Sequence, residues 1–140
     1  MIITPISGES TETQVITAGR RGNNRTIGDR LRITAEVSMT ANFGAPVLVS
    51  GSISKIFWRG ATSGGAAPGP IGLEIDVRRG ASSVSTTTID CPSSSTGSSV
   101  TISPAISVLE DDTIVMLVAA PSTGTATTVS NPYVAAKVIA

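Results

Sequence analysis

The sequence predicts an all-β protein: an antiparallel β-sandwich of about eight strands spanning residues 31–140, preceded by an extended N-terminal arm over residues 1–30. Apolar and polar residues alternate along most of the chain. The clearest case sets Ile71, Leu73, Ile75 and Val77 against Gly72, Glu74, Asp76 and Arg78. Successive side chains of a strand point to opposite faces, so this spacing gives one apolar face and one polar face. Turn-forming residues recur at about the 8–12-residue intervals of a sandwich or barrel. No segment carries a convincing helical period.

The elements follow in order. Residues 1–30 begin apolar, become polar at Gly8–Gln14, pass Val15 and Ile16, and then turn basic. Gly19, Gly22, Asn23, Asn24 and Gly28 favour a loop or extended arm there. A first strand is expected where Leu31, Ile33, Ala35, Val37 and Met39 alternate with polar residues. After a turn at residues 42–46 comes a strand over 47–58, marked by Val47, Val49, Ile53 and Phe57, with Gly51 as a possible bulge. Residues 60–70 read as a loop, and 71–79 as the next strand. Ser83–Asp90 reads as a Thr-rich edge strand and Pro92–Ser98 as a polar loop. Val100, Ile102, Ile106 and Val108 mark a strand interrupted by Pro104. Glu110–Asp112 is a turn into Ile114–Val118, the densest apolar run, as in a central strand buried on both faces. Thr125–Val129 and Tyr133–Ile139 close the chain on either side of Asn131-Pro132. The predicted core is Leu31, Ile33, Val37, Val49, Ile53, Ile75, Val77, Ile114, Met116, Val118, Val134 and Val138.

Composition narrows the chemistry. The 140 residues suit one domain with a real core. There is no histidine, which excludes Ser–His and Cys–His catalysis within one chain. Cys91 is alone, so no intrachain disulfide forms; it reads as a small buried residue, and the lack of a disulfide framework fits a reducing compartment. Ten cationic and ten anionic side chains cancel, which gives no long-range pull toward nucleic acid or membrane and little protection from self-association. The start of the chain lacks a signal-peptide pattern, and no apolar run approaches the roughly 18 residues of a membrane helix. Asn24-Arg25-Thr26 matches the glycosylation triplet by chance.

Candidate sites are few. Glu74 and Asp76 share a strand face with Cα atoms roughly 6–7 Å apart, and a solvated face explains them better than a glycosidase pair. Glu110-Asp111-Asp112 lacks the spaced ligands of a calcium loop and reads as a polar turn. Ser52 and Lys55 have the Ser-x-x-Lys spacing, but that pattern needs a helix face, and in a strand the two are expected on opposite faces. The Gly-rich loop at 60–70 lacks the ending of a phosphate loop. Neither a catalytic set, a metal site nor a cofactor site is expected. Arg20, Arg21, Arg25, Arg30 and Arg32 put half of the positive charge into thirteen residues. They read as a docking cluster for carboxylates on a protein partner, because arginine pairs bidentately with carboxylate. A solvated segment or intrachain pairing with Glu9, Glu12 and Asp29 is the competing reading, and nucleic-acid binding is the weakest, since the cluster lacks aromatics and the chain is neutral.

Two stretches carry a resemblance. Ile106–Val118 and Tyr133–Ile139 resemble the last strands of jelly-roll domains of the trimeric tumour-necrosis-factor and C1q-like type, in which a turn ending in Asp-Thr leads into a central strand. The whole pattern, a polar arm plus a Ser/Thr/Ala/Gly-rich β-domain, is similar to capsid decoration (cement) proteins of tailed bacteriophages. The resemblance implies a jelly-roll-like sandwich, a homotrimer, and a non-enzymatic structural role on the virion surface. It implies the major capsid protein as partner, with no specific nucleic acid and no membrane. The alternative it leaves is a receptor-binding or fibre-tip domain of a phage tail.

Overall fold

The computed structural model describes residues 12–19, 24–33, 44–66 and 68–140. Among these, every regular element is a strand. There are ten: β1 (Thr13–Gly19), β2 (Asn24–Thr26), β3 (Arg32–Ile33), β4 (Gly44–Pro46), β5 (Gly51–Ser63), β6 (Ile71–Arg79), β7 (Ser82–Cys91), β8 (Ser94–Val108), β9 (Thr113–Ala119) and β10 (Thr128–Ile139).

They form two antiparallel sheets. The larger has the order β3-β1-β10-β5-β8, with β2 also on β10; the smaller has the order β4-β9-β6-β7. Setting aside β2 and β3, the remaining eight pair first with last, second with seventh, third with sixth and fourth with fifth. The first-to-last and third-to-sixth pairs join through β10 and β5, and the other two through β9 and β6. That is a long antiparallel ribbon rolled across two sheets, the jelly-roll order.

The core lies between the sheets. Ile16, Ala18, Ile53, Ile56, Trp58, Val134, Ala136 and Val138 come from the larger sheet, and Ile71, Leu73, Ile75, Val77, Ile114, Met116 and Val118 from the smaller. Each large side chain so enclosed contributes about 1.5–3 kcal/mol over its exposed state. Trp58 is fully buried and keeps its indole N–H satisfied by donating to the Pro92 carbonyl at 2.8 Å.

Most of the expected core is in place: Leu31, Ile53, Ile75, Val77, Ile114, Met116, Val118, Val134 and Val138 are buried. Val37 and the side chain of Ile33 lie outside the described residues. Val49 is only half-buried, and Val47 occupies the core instead. The cause is local. The strand begins at Gly51 rather than at residue 47, and Val47 is fixed beforehand by two backbone bonds to the β8–β9 turn, Val47 N–H to Asp112 O and Asp111 N–H to Val47 O.

Other boundaries also shift. β5 runs on through Ser63, into the expected loop. Its irregularities sit at Ile53/Lys55 and Trp58/Gly60, not at Gly51. β8 begins at Ser94, inside the expected polar loop, and passes through Pro104. Proline is tolerated because β8 is an edge strand. Asn131-Pro132 falls within a single β10, at an irregularity against β5.

The boundary at residue 30 needs correction for the described part of the arm. β1 pairs with β10 over seven positions, from Thr13–Ile139 to Gly19–Tyr133. Val15 and Ile16, placed on opposite faces, drive Ile16 into the core. Gln14 fastens the strand further, donating to Pro46 O and accepting from Leu48 N–H, each at 2.8 Å. β2 adds to β10, after which residues 28–31 cross to the smaller sheet and bond along β9 through Gly28 N–H to Val118 O, Val118 N–H to Asp29 O and Leu31 N–H to Met116 O.

Candidate functional site

Of the five arginines expected to dock a partner, the described ones, Arg25, Arg30 and Arg32, do not come together on one surface. Arg20 and Arg21 lie outside the described residues. Arg25 is largely covered, 3.9 Å from Asp29, and its Nε is buried without a hydrogen-bond partner among the described residues. Asp29 also accepts from Thr26 N–H at 2.9 Å, which closes a local turn. Arg32 is exposed on β3, at one edge of the larger sheet. Arg30 bridges to Leu117 and faces a depression on the smaller sheet with Asp76, Arg78, Thr113 and Val115. The two exposed arginines therefore belong to different sheets, which their spacing in sequence does not reveal.

The carboxylates hold structure. Asp76 accepts from Arg78 at 3.1 Å and from the hydroxyls of Ser83 and Thr86, stitching the β6–β7 hairpin. Asp90 accepts from the N–H and hydroxyl of Ser122, tying β7 to the β9–β10 connection. Asp112 is buried and holds a bidentate pair with half-exposed Arg79, at 2.8 and 3.0 Å, and a third bond from Leu109 N–H at 2.8 Å. The hydrogen bond from Arg79, with that from Leu109, lowers the carboxyl's pKa against the opposing cost of burial. Among the described residues no group of three His, Cys, Asp or Glu side chains is placed to hold a metal ion. Cys91 is fully buried; burial, with a smaller effect of neighbouring Asp90, pushes its thiol up to about 12. Ser52 and Lys55 do not obey simple alternation, because the irregularity between them leaves Ile53 and Ile56 both inward. No hydrogen bond joins the two.

Three further cations, Lys55, Arg59 and Lys137, are exposed on the larger sheet. Among the described residues, its six strands contain no Asp or Glu but carry Arg25, Arg32, Lys55, Arg59 and Lys137. The register builds the surface row by row. Thr17 lies beside Ala135, and Ala135 beside Phe57, which faces Ser99. Gly19 lies beside Tyr133, and Tyr133 beside Arg59. Val15 lies beside Lys137, and Lys137 and Lys55 follow the Ala136–Ile56 pair on adjacent strands.

Its centre is aromatic. Phe57 and Tyr133 meet edge to face with centroids 6.2 Å apart, and the Arg59 guanidinium lies 5.1 Å from the Tyr133 centroid. Phe57 is 38% exposed and Val15 59% exposed. Gly97 on β8, with φ of 118°, makes room for the ring: a Cβ there would stand 2.1 Å from Phe57 Cζ. Composition hides this face, since it reports only four aromatics and a net charge of zero.

A hydroxyl-lined groove runs elsewhere, between the edge strands β7 and β8. Two depressions of about 400 and 370 Å³ share Thr87 and Ser103.

No known family profile matches the chain, and no curated protein matches it. Among solved structures it is similar to the crystal structure of FlhE, with 15% identity, 90% of this chain and 96% of that chain covered, and a TM-score of 0.39. A likeness at that level assigns neither a role nor a partner.

Proposed function

We propose that the chain is a non-enzymatic virion structural protein, a capsid decoration (cement) protein that binds the outer capsid lattice as a homotrimer and stabilises it. The observation that carries the reading is the jelly-roll pairing of first strand with last, second with seventh, third with sixth and fourth with fifth. This architecture recurs in viral capsid and lectin domains. It supports the role by analogy of fold together with the resemblance of the Ile106–Val118 and Tyr133–Ile139 stretches. The engagement of Asp76, Asp90 and Asp112 in structural bonds is consistent with a protein made for contact.

On this reading the mechanism is mechanical. Each trimer bridges neighbouring capsid subunits, so several weak contacts act together through high effective concentration. Electron imaging of particles carrying the protein should place its density over the capsid lattice. Density at the tail would instead favour a receptor-binding or fibre-tip domain, for which the hydroxyl-lined groove between β7 and β8 is the supporting feature. Light scattering of the purified chain should give three times the mass of the single chain. A stable monomer at micromolar concentration would remove the trimer.

A further inference from the structure

We propose that the outer face of the larger sheet, centred on Phe57 and Tyr133 and bordered by Lys55, Arg59 and Lys137, is the docking surface for a carboxylate-bearing protein. Three observations converge on it. Lys55, Arg59 and Lys137 all point outward and none forms a salt bridge among the described residues, while the sheet's strands supply no carboxylate to answer them. Lys55 and Lys137 sit on adjacent strands of one face, where like charges repel. An external anion between them relieves that repulsion. Phe57 and Tyr133, already packed on each other, give a rigid apolar anchor beside Arg59, and aromatic and arginine side chains are the types that dominate binding energy at protein interfaces.

The same geometry disfavours a single-stranded nucleic acid. Base stacking needs open ring faces. Here Arg59 lies over Tyr133, and the Phe57 ring leans across Gly97 and against Tyr133.

The partner's identity as a capsid subunit rests on the proposed function; the chemistry of the face does not. The test therefore uses a defined probe. The purified chain is passed over immobilised poly-L-glutamate at low and at physiological salt. Retention should be measurable at low salt and fall as salt rises, because exposed charges are screened. The double variant Lys55→Glu/Lys137→Glu should bind roughly tenfold more weakly or worse, with the melting transition of the parent. Phe57→Ser reads the apolar part of the face, and its folding is checked through the fluorescence of buried Trp58. Arg30→Glu, which lies against β9 of the smaller sheet, is the control and should leave retention within about twofold.

Loss of retention in Arg30→Glu but not in the face variants would overturn the proposal. So would tighter binding to oligothymidylate or to anionic phosphatidylglycerol vesicles than to poly-L-glutamate. So would a sedimenting oligomer of the parent that Phe57→Ser dissociates, since a second copy would then occupy the face. Retention that follows the face variants, in a protein whose density is absent from the capsid lattice, would keep the docking surface and remove the capsid assignment.

Discussion

Asp112 acts on three parts of the chain at once. Its carboxylate meets Arg79 at the end of β6 and Leu109 in the β8–β9 turn, while its carbonyl accepts from Val47 ahead of β5. Asp112→Ala should destabilise the fold by roughly 1–3 kcal/mol, measured by urea unfolding, because the Leu109 N–H and Arg79 lose their acceptor. The pH dependence follows from the lowered pKa. The stabilisation is fully present above the unfolded carboxyl's value of about 3.9 and is lost as pH falls through the lower folded value. Asp112→Asn should lack that acid-side loss when the two proteins are compared between neutral pH and about pH 3. Cys91 offers a second reading at this scale. A fully buried thiol held up to about 12 should resist alkylation in the native state and react promptly in denaturant. Rapid native labelling with iodoacetamide would contradict its placement. Gly97 offers a third. Gly97→Val adds a side chain at positive φ and into the Phe57 ring, and should cost about 1–3 kcal/mol by the same unfolding assay.

Among elements, β1 is where reading and structure part most. Seven residues with only Val15, Ile16 and Ala18 as apolar marks, set between a polar run and an arginine run, look like linker. Their strand character comes from a partner more than a hundred residues away in sequence, β10, which local composition does not announce. Deleting residues through Gly19 should abolish or severely weaken the cooperative unfolding transition, since it bares the β10 edge and the core around Ile16. A detachable arm would leave that transition unchanged. The strands that were legible, β6 and β9, lie centrally in the smaller sheet with neighbours on both sides, so their alternation or continuous apolarity is strong. β8 was half legible: Ser and Thr suit an exposed edge as well as a loop, so Ser94–Ser99 gave no signal to separate them. The candidate face was illegible for a related reason. Arg20 to Arg32 are close in sequence and draw attention, whereas Arg59 meets Tyr133, and Lys55 comes beside Lys137, only through the β5–β10 register.

For the whole molecule, net charge misleads. Ten cations and ten anions cancel, yet the described strands share them unevenly: the larger sheet carries only cations, while the smaller carries Glu74, Asp76 and Asp90 together with Arg78 and Arg79. A neutral chain with such a division carries local fields that its total conceals.

The rolled pairing of first strand with last also bears on synthesis. β1 leaves the ribosome early, but β10, the partner it needs along its whole length, lies more than a hundred residues downstream. At about 5–20 residues per second, that is a delay on the order of ten seconds, during which the sandwich cannot close. The smaller sheet β4-β9-β6-β7 and the β5–β8 pair can form meanwhile, because all their strands precede Thr128. Refolding of the full chain should accordingly be slow, in the range of milliseconds to seconds typical of topologies dominated by distant contacts. The growing chain spends its unfinished interval with Ile16 and its neighbours uncovered, so a nascent chain stalled before Thr128 should be held by chaperones or cleared by proteases.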